Sequence, residues 1–301
     1  MIRELPVPDG LVGQRLDTAA ARLLGLSRTK AAELATAGRI LVDGQVAAKS
    51  AILGSNAWLR VELDDTAAPG EPVAELEIVY EDNHLVVVDK PVGVAAHTGP
   101  GWSGPTVIGS LLASGHRVAM SGPPERRGVV QRLDVGTSGL MMVAKSERAY
   151  SVLKQMFRDQ AVTKIYHGVV QGLPQESAGT VDAPIGRLPG AFKFAVVHGG
   201  KPSITHYELL EAFAGAALLR LDLQTGRTHQ IRVHMAAIGH PLVGDPFYGD
   251  DRELGARLGL ERQWLHATQL GFDHPIGGHR LELVATYPTD LQIALDRLRA
   301  P

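Results

Sequence analysis

Asp134 lies in the stretch QRLDVGTSGLMMVAKS, residues 131–146, beside an arginine and a glycine-flanked Thr-Ser turn that runs into an apolar segment. A carboxylate one step from an apolar strand either accepts hydrogen bonds from backbone N–H groups in a turn or is held at a pocket rim for chemistry. In the second case it can act as a nucleophile. The loop alone leaves both interpretations open.

A second candidate, Arg232, lies in the segment RTHQIRVHMAAIG, whose periodicity predicts a helix capped by Thr228 and ended by Gly239. An arginine on a helix that follows a Gly-Arg-Thr turn can pair with a carboxylate or a phosphate, or it can form an ordinary surface ion pair. The spacing does not decide between these two possibilities.

A third candidate, Tyr166, lies in the strand-like segment TKIYHGVVQG, on the side opposite to Ile165 and Val169. A strand tyrosine commonly fills a core. If it faces a pocket instead, its ring can stack on a base and its hydroxyl can take or give a proton.

Metal chemistry is not indicated by the histidines of the predicted helix. His229 and His234 are five positions apart, which places them about 140° apart around a helix axis, so they cannot easily hold one ion. His234 falls on the apolar face and is predicted to be a satisfied core or second-layer histidine. The chain has no cysteine, which excludes disulfides, thiol nucleophiles and cysteine-ligated metal sites.

Composition predicts a folded cytoplasmic protein. With 301 residues, of which 45% are hydrophobic, the chain can bury a substantial core, and it has no apolar run near eighteen residues and no signal-like amino terminus. The net charge of −2 gives no overall attraction for nucleic acid, so any binding of RNA or DNA must come from local patches.

The amino-terminal part, residues 1–65, is predicted to be a small α/β module. Two short helices, the second starting at Ser27 and stopping at Gly38, precede a hairpin about Asp43-Gly44. Between Arg15 and Lys49, six basic residues stand against three acidic ones, an excess of three positive charges. Residues 66–75 are small, acidic and broken by Pro and Gly, which is typical of a linker.

Residues 76–301 form the larger predicted unit. Strand-like runs dominate it, and two helical segments interrupt them: SERAYSVLKQMFRD and the one that carries Arg232. Many strands with few helices indicate an α+β fold with a mixed, largely antiparallel sheet rather than an alternating parallel one.

Taken in order along the chain, the segments QRLDVGTSGLMMVAK, KIYHGVV, GRTHQIRVHMAAIGHPLVGDPFYG and WLHA closely resemble the RluA-type family of RNA pseudouridine synthases. EDNHLVVVDKPVGVAAHTG resembles the entry strand of that family's catalytic domain, so the resemblance covers nearly all of residues 77–301. The amino-terminal module resembles the S4 RNA-binding domain found ahead of the catalytic domain in the large-ribosomal-subunit members. Two departures concern local RNA contacts: Gln131 stands where a histidine is usual, and Val135-Gly136 replaces a commonly polar pair.

The resemblance implies a catalytic sheet with a central cleft, in which Asp134 is the nucleophile, Tyr166 the active-site tyrosine and Arg232 the arginine that pairs with the carboxylate. RNA contacts are predicted in both parts of the chain, at Arg132, Arg227 and His229 in the larger unit and at Arg15, Arg28, Lys30 and Arg39 in the S4-like module.

The implied reaction isomerises specific uridines to pseudouridine, without change of redox state, so neither a cofactor nor a metal is predicted. The S4-like module favours 23S ribosomal RNA as the substrate; transfer RNA is an alternative, and a non-catalytic S4-type RNA-binding protein is another. A monomer without membrane association is expected. A phosphate-transfer reading of LDVGT is disfavoured, because Gly136 stands where a second aspartate would be needed.

Overall fold

The computed structural model describes residues 2–24, 28–55, 57–62, 72–99, 101–188, 193–249 and 251–300. The chain divides into two units, Met1–Gly70 and Glu71–Pro301. Of the predicted linker, residues 66–71 lie outside the described residues. The boundaries 1–65, 66–75 and 76–301 therefore stay predictions.

The first unit packs two helices on a four-stranded antiparallel sheet. Its elements are β1 (Ile2–Pro6), α1 (Leu16–Leu24), α2 (Arg28–Thr36), β2 (Ile40–Val42), β3 (Gln45–Val46) and β4 (Trp58–Glu62), with strand order β1-β4-β2-β3. Asp43 and Gly44 turn the β2–β3 hairpin at φ 50° and 80°, as predicted. The predicted Ser27 cap lies outside the described residues.

The second unit is built on a nine-stranded sheet and a two-stranded one. Its strands are β5 (Glu77–Glu81), β6 (Leu85–Lys90), β7 (Ser138–Ala144), β8 (Thr163–Gln171), β9 (Ala178–Asp182), β10 (Ile185–Arg187), β11 (Phe194–Val196), β12 (Ile204–Phe213), β13 (Ala216–Leu223), β14 (Leu265–Asp273) and β15 (Arg280–Val284). The large sheet has the order β5-β6-β7-β14-β8-β13-β12-β9, with β15 also on β14, and β10 pairs with β11. Of the described strand pairs, β7 with β14 is parallel and the others are antiparallel. The predicted α+β class with a mixed, largely antiparallel sheet is confirmed.

Five helices of the second unit are described: α3 (Val107–Ala113), α4 (Glu147–Arg158), α5 (Gln230–Ala237), α6 (Arg252–Arg257) and α7 (Thr289–Arg299). The sequence interpretation identified α4 and α5 and missed the other three. Ser146 caps helix α4, because its Oγ accepts from Ala149 N at 3.2 Å. The cap predicted for α5 is wrong. His229 occupies that position in a left-handed conformation (φ 57°), which delays the helix start to Gln230.

The core lies on both faces of the large sheet. Strands β6 and β7 are buried along nearly their whole length, so they carry continuous apolar runs rather than an alternating pattern. Ile231 and Met235 of α5 pack in the cluster on one face, and Ala149 and Leu153 of α4 pack in the cluster on the other. No helix in the described parts of the chain is both long and apolar enough to cross a bilayer.

Candidate active site

A cleft of about 1080 Å³ opens in the second unit, and the three predicted catalytic residues line it. Asp134 comes from the loop before β7, Tyr166 from β8 and Arg232 from α5. Asp134 and Arg232 are 98 positions apart in the chain. The fold therefore brings the three sequence segments to one space.

Asp134 and Arg232 form an ion pair in this cleft. Arg232 Nη1 lies 3.3 Å from Asp134 Oδ2, and the arginine side chain is 4% exposed while the aspartate is 26% exposed. The turn around Asp134 is closed by backbone, since Thr137 N donates to the Asp134 carbonyl oxygen at 3.0 Å. Within the described residues the Asp134 carboxylate accepts from no backbone N–H group. The turn-forming interpretation therefore lacks the contacts that it requires.

Asp245 holds Arg232 from the other edge of the guanidinium. Arg232 Nε and Nη2 donate to its two carboxylate oxygens at 2.7 Å and 2.9 Å, a bidentate geometry. Backbone N–H groups of Phe247 and Tyr248 donate to Asp245 as well. Burial alone would raise the pKa of Asp245, but the hydrogen bonds from Arg232 hold it below its ordinary value. The sequence interpretation missed this residue, although Gly244-Asp245-Pro246 lies within the segment GRTHQIRVHMAAIGHPLVGDPFYG.

Tyr166 both packs in the core and faces the cleft. It is 8% exposed and belongs to the same buried cluster as Ile231 and Met235. Burial raises the pKa of its hydroxyl, and the charge of Asp134 raises it further. The phenol is therefore neutral at ordinary pH.

His229 lies beside the ion pair. Its Nε2 is 3.9 Å from Asp134 Oδ2, and its Nδ1 is 3.0 Å from the hydroxyl of Tyr248. Rings of Phe194, Phe247 and Tyr248 surround the imidazole at 5.7 to 6.5 Å between centroids. Burial lowers the pKa of His229, although the charge of Asp134 acts in the opposite direction. This position next to the carboxylate is not visible in the sequence spacing.

His234 faces away from the cleft into the core, as predicted. It is fully buried, its Nδ1 lies 2.8 Å from Thr205 Oγ1 and its Nε2 lies 3.0 Å from the carbonyl oxygen of Ala183. Both ring nitrogens therefore have partners, and the residue is a satisfied core histidine.

Lys90 is a second residue that the sequence interpretation missed. Its side chain is fully buried at the end of β6, and Nζ donates to the carbonyl oxygens of Val94 at 2.8 Å and Pro91 at 3.0 Å. A weaker contact of 3.5 Å reaches the carbonyl of Val135, the residue that follows Asp134. Burial lowers the pKa of Lys90 to about 7, against the influence of Asp134. The amine thus ties the β6 end to the Asp134 loop.

Residues 84–237 match the family model described as RNA pseudouridylate synthase, and residues 14–59 match the S4 domain. The chain belongs to the RNA pseudouridine synthase family. The predicted family, the amino-terminal S4 domain and the assignment as an isomerase acting on RNA are thereby confirmed. The non-catalytic alternative is not favoured.

Curated relatives cover almost the whole synthase. An uncharacterized RNA pseudouridine synthase of Mycobacterium bovis is 55% identical, over 99% of this chain and 98% of its own. Ribosomal large subunit pseudouridine synthase D of Pseudomonas aeruginosa is 42% identical, over 99% of this chain and 96% of its own.

Solved structures resemble the synthase as well. Human RNA pseudouridylate synthase domain containing 1 superposes with a TM-score of 0.57 at 30% identity, over 72% of this chain and 86% of that one. Human RNA pseudouridylate synthase domain containing 4 gives a TM-score of 0.58 at 27% identity, over 74% and 93%.

The two departures from the motif have structural surroundings of their own in this synthase. A Cβ atom at Gly136 would stand 2.7 Å from the amide oxygen of Gln263, which is buried and donates through Nε2 to Thr137 Oγ1 at 3.1 Å. Gly136 therefore fits a loop that packs closely on Gln263. Gln131 makes a long contact, with Nε2 3.4 Å from the carbonyl oxygen of Leu140.

The residues of the larger unit that are predicted to contact RNA line the cleft. Arg132 and Arg227 are exposed and line it, and His229 lies deeper. Arg132 Nη2 donates to Thr228 Oγ1 at 3.2 Å, and Arg227 Nε donates to the carbonyl of Pro202 at 3.2 Å. Thr228 thus contacts an arginine instead of capping α5.

The residues of the S4 domain that are predicted to contact RNA differ in their surroundings. Arg15 and Arg28 both reach the buried carboxylate of Asp17, at 3.0 Å and 3.3 Å. Arg39 is half-buried just before β2, and the side chain of Lys30 lies outside the described residues. Two of the predicted cations thus share one internal counter-charge.

No group of three or more metal-binding side chains comes together in the described parts of the synthase. The expectation of a reaction without metal or cofactor stays a prediction.

Proposed function

We propose that this synthase converts uridine to pseudouridine in the RNA of the large ribosomal subunit, with Asp134 as the nucleophile. The observation that carries the proposal is the Asp134–Arg232 ion pair, 3.3 Å long, in a cleft that Tyr166 also lines. The relative named ribosomal large subunit pseudouridine synthase D, 42% identical over almost the full chain, supports the choice of substrate.

The isomerisation breaks the bond between uracil N1 and ribose C1′ and forms a bond between C5 and C1′. A hydrogen leaves C5, N1 gains one, and no electrons are exchanged with another molecule. The reaction needs an anionic oxygen near the sugar and base, a cation that orients it, and a wall that retains the detached uracil. Asp134 supplies the oxygen, Arg232 orients it, and the ring of Tyr166 forms the wall.

Two features of the site suit this chemistry. Asp245 takes two short hydrogen bonds from Arg232, so Asp134 meets that arginine through a single longer contact. The anionic oxygens of Asp134 are therefore left with free lone pairs for reaction. The phenol of Tyr166 enters the reaction as a neutral group that can take part in moving the C5 proton.

The target base must leave its stack before it reaches Asp134, which costs a few kcal/mol. Contacts with the RNA backbone offset that cost. We propose an S4 domain of residues 1–65, a linker of residues 66–75 and a catalytic domain of residues 76–301. We assign the backbone contacts to Arg132, Arg227 and His229 in the catalytic domain. In the S4 domain we assign them to Arg15, Arg28, Lys30 and Arg39. Since one chain supplies the whole catalytic trio, we further propose a monomer. Because the proposed substrate is ribosomal RNA, we propose that it is cytoplasmic.

The test is release of tritium from RNA labelled at uracil C5. Purified protein is incubated with unmodified 23S ribosomal RNA and, separately, with transfer RNA, both transcribed in vitro. We expect release from the ribosomal RNA, and a loss of roughly 10³-fold or more for Asp134→Asn. Asp273→Asn, the same change at an exposed site, is the control and should keep full activity. Release of tritium from transfer RNA alone would show that transfer RNA, not ribosomal RNA, is the substrate. Near-normal release by Asp134→Asn would show that Asp134 is not the nucleophile.

A further inference from the structure

The cleft is far more basic than the protein as a whole. Eight basic side chains line it, against two acidic ones, Asp134 and Glu261, and two of the eight, Arg232 and Arg262, are paired with the carboxylates of Asp245 and Asp290. The whole chain, in contrast, has a net charge of −2. The basic residues are Arg126, Arg132, Lys154, Arg158, Lys164, Arg227, Arg232 and Arg262. A low-dielectric cleft lined by one sign of charge concentrates its field outward, so it attracts an anionic partner.

Four of these residues form what we call the basic rim: Arg126, Arg132, Lys154 and Arg158. Arg126 ends the short 3₁₀ helix Pro124–Arg126, Arg132 precedes Asp134 by two positions, and the other two lie four positions apart on α4. Their charges act on one another. Burial lowers the pKa of Lys154, and the three arginines of the rim lower it further.

The basic rim has almost no counter-charge. Within the described residues, no carboxylate lies within ion-pair distance of Lys154 or Arg158, and Arg158 Nε donates to the neutral amide of Gln155 at 3.1 Å. The nearby carboxylate of Asp159 accepts from that same Gln155. Arg126 contacts the exposed Glu125 at 3.6 Å. Like charges four positions apart weaken a helix, so the stability of α4 does not account for this arrangement.

Arg15 and Arg28 of the S4 domain provide a comparison within the same chain. They converge on Asp17, which satisfies part of their charge inside the protein. Lys154 and Arg158 have no such acid and open on the cleft that holds Asp134. An uncompensated set of cations beside the reacting carboxylate fits a partner that carries a charge at every repeat of its chain.

We propose that the basic rim binds the phosphodiester backbone of the RNA segment that flanks the target uridine. The proposal rests on the function proposed above and adds Arg126, Lys154 and Arg158 to its RNA-binding surface. It makes α4 an RNA-binding element of the catalytic domain, separate from the S4 domain. Neutralising each phosphate releases condensed counterions, so binding through the rim must weaken with salt in proportion to the number of contacts.

The test compares the full-length protein with its Lys154→Gln/Arg158→Gln double variant. Binding of in-vitro transcribed, unmodified 23S ribosomal RNA is measured by filter retention from 50 to 400 mM KCl. If both side chains contact phosphate, the slope of log affinity against log salt should fall in magnitude by about 1.4 to 1.8 in the variant, and affinity near 0.15 M salt should fall roughly tenfold.

Two further variants isolate charge from fold. Arg148→Gln makes the same kind of change on α4 at an exposed site outside the cleft lining, and it should keep the wild-type slope. The charge-preserving Lys154→Arg/Arg158→Lys variant should keep it too. A double glutamine variant that folds normally and retains both the wild-type salt slope and the wild-type RNA affinity would overturn the proposal. The basic rim would then be assigned to binding an acidic protein partner. The salt slope measures RNA binding and not turnover, so it tests the basic rim even if the tritium assay shows no activity.

Discussion

Arg232 donates two hydrogen bonds to Asp245, at 2.7 Å and 2.9 Å, through the guanidinium edge that does not face Asp134. Asp134 receives a single contact of 3.3 Å from the same side chain. One cation therefore lies between two carboxylates, of which the buried one is bound more tightly. Asp245 fixes the position of Arg232, and Arg232 in turn fixes the direction of Asp134.

Asp245→Asn should lower the turnover number about 10²-fold with little change in RNA affinity, because a displaced Arg232 no longer orients Asp134. The variant should also lose about 3 kcal/mol of folding free energy, since a buried arginine loses its charged partner. Hydrogen release, RNA binding and denaturant unfolding measure the three effects.

Glu211→Gln is the matched control for Asp245→Asn. Glu211 pairs with Arg299 at 2.6 Å, but both side chains are well exposed, so the loss should stay below about 1 kcal/mol and leave turnover intact. A folded Asp245→Asn protein with wild-type turnover would show that Asp245 does not position Arg232 for the reaction.

Tyr166→Phe tests the hydroxyl separately from the ring. The ring keeps its place in the core cluster, so fold and RNA affinity should persist while most turnover is lost. Tyr166→Ala should add a core cavity, a cost of about 3 to 5 kcal/mol, and weaker capture of uridine. Tyr207→Phe removes a hydroxyl outside the cleft lining and serves as the control. Wild-type turnover in Tyr166→Phe would remove the hydroxyl from the mechanism.

The sequence predicted the elements whose signals are local. Helix α4 has a Ser cap and a clear apolar stripe, and the motifs that carry Asp134, Tyr166 and Arg232 meet in one cleft. Helix α7 was overlooked although Leu291, Ala294 and Leu295 recur at helical spacing. Its signal was present in the sequence.

Other features have no local signal. His229 takes a left-handed conformation among the rings of Phe194, Phe247 and Tyr248, which come from elsewhere in the chain. Lys90 looks like an ordinary strand end until the fold places three carbonyl oxygens around its amine. Such contacts depend on tertiary structure, which spacing along the sequence does not specify.

Lys90 gives a prediction about pH. Burial lowers its pKa to about 7 in the folded protein, whereas an unfolded chain holds lysine near its ordinary value of about 10.4. Between these values the unfolded state binds more proton, so raising the pH stabilises the folded state. Replacing the amine by Lys90→Met removes this contribution.

The measurement for Lys90 is denaturant unfolding at pH 7 and pH 9.5. The free energy of unfolding of wild type, relative to Lys90→Met, should rise by more than about 1 kcal/mol over this range. Lys201→Met changes an exposed lysine and should show no such trend. A constant difference between wild type and Lys90→Met would mean that the buried amine keeps its proton throughout.

Gly139 sets the contact between the Asp134 loop and the sheet. It pairs with Ala267 where β7 meets β14 in parallel, at φ 113°, and a Cβ atom there would stand 2.3 Å from the carbonyl oxygen of Ala267. Gly139→Ala should therefore cost about 3 kcal/mol or more, since both the backbone angle and the strand pairing must give way.

Gly226→Ala is the control for Gly139→Ala, because a Cβ atom at Gly226 meets nothing within 4 Å and its φ is not in the left-handed region. That change should alter stability by less than about 1 kcal/mol. The melting temperature of Gly139→Ala should be lower than that of wild type by roughly 6 °C or more, and that of Gly226→Ala should stay within a few degrees of wild type. Because Gly139 lies five positions after Asp134, the turnover of any folded Gly139→Ala protein should also fall. Equal melting temperatures for the two variants would contradict the close approach of β7 to β14.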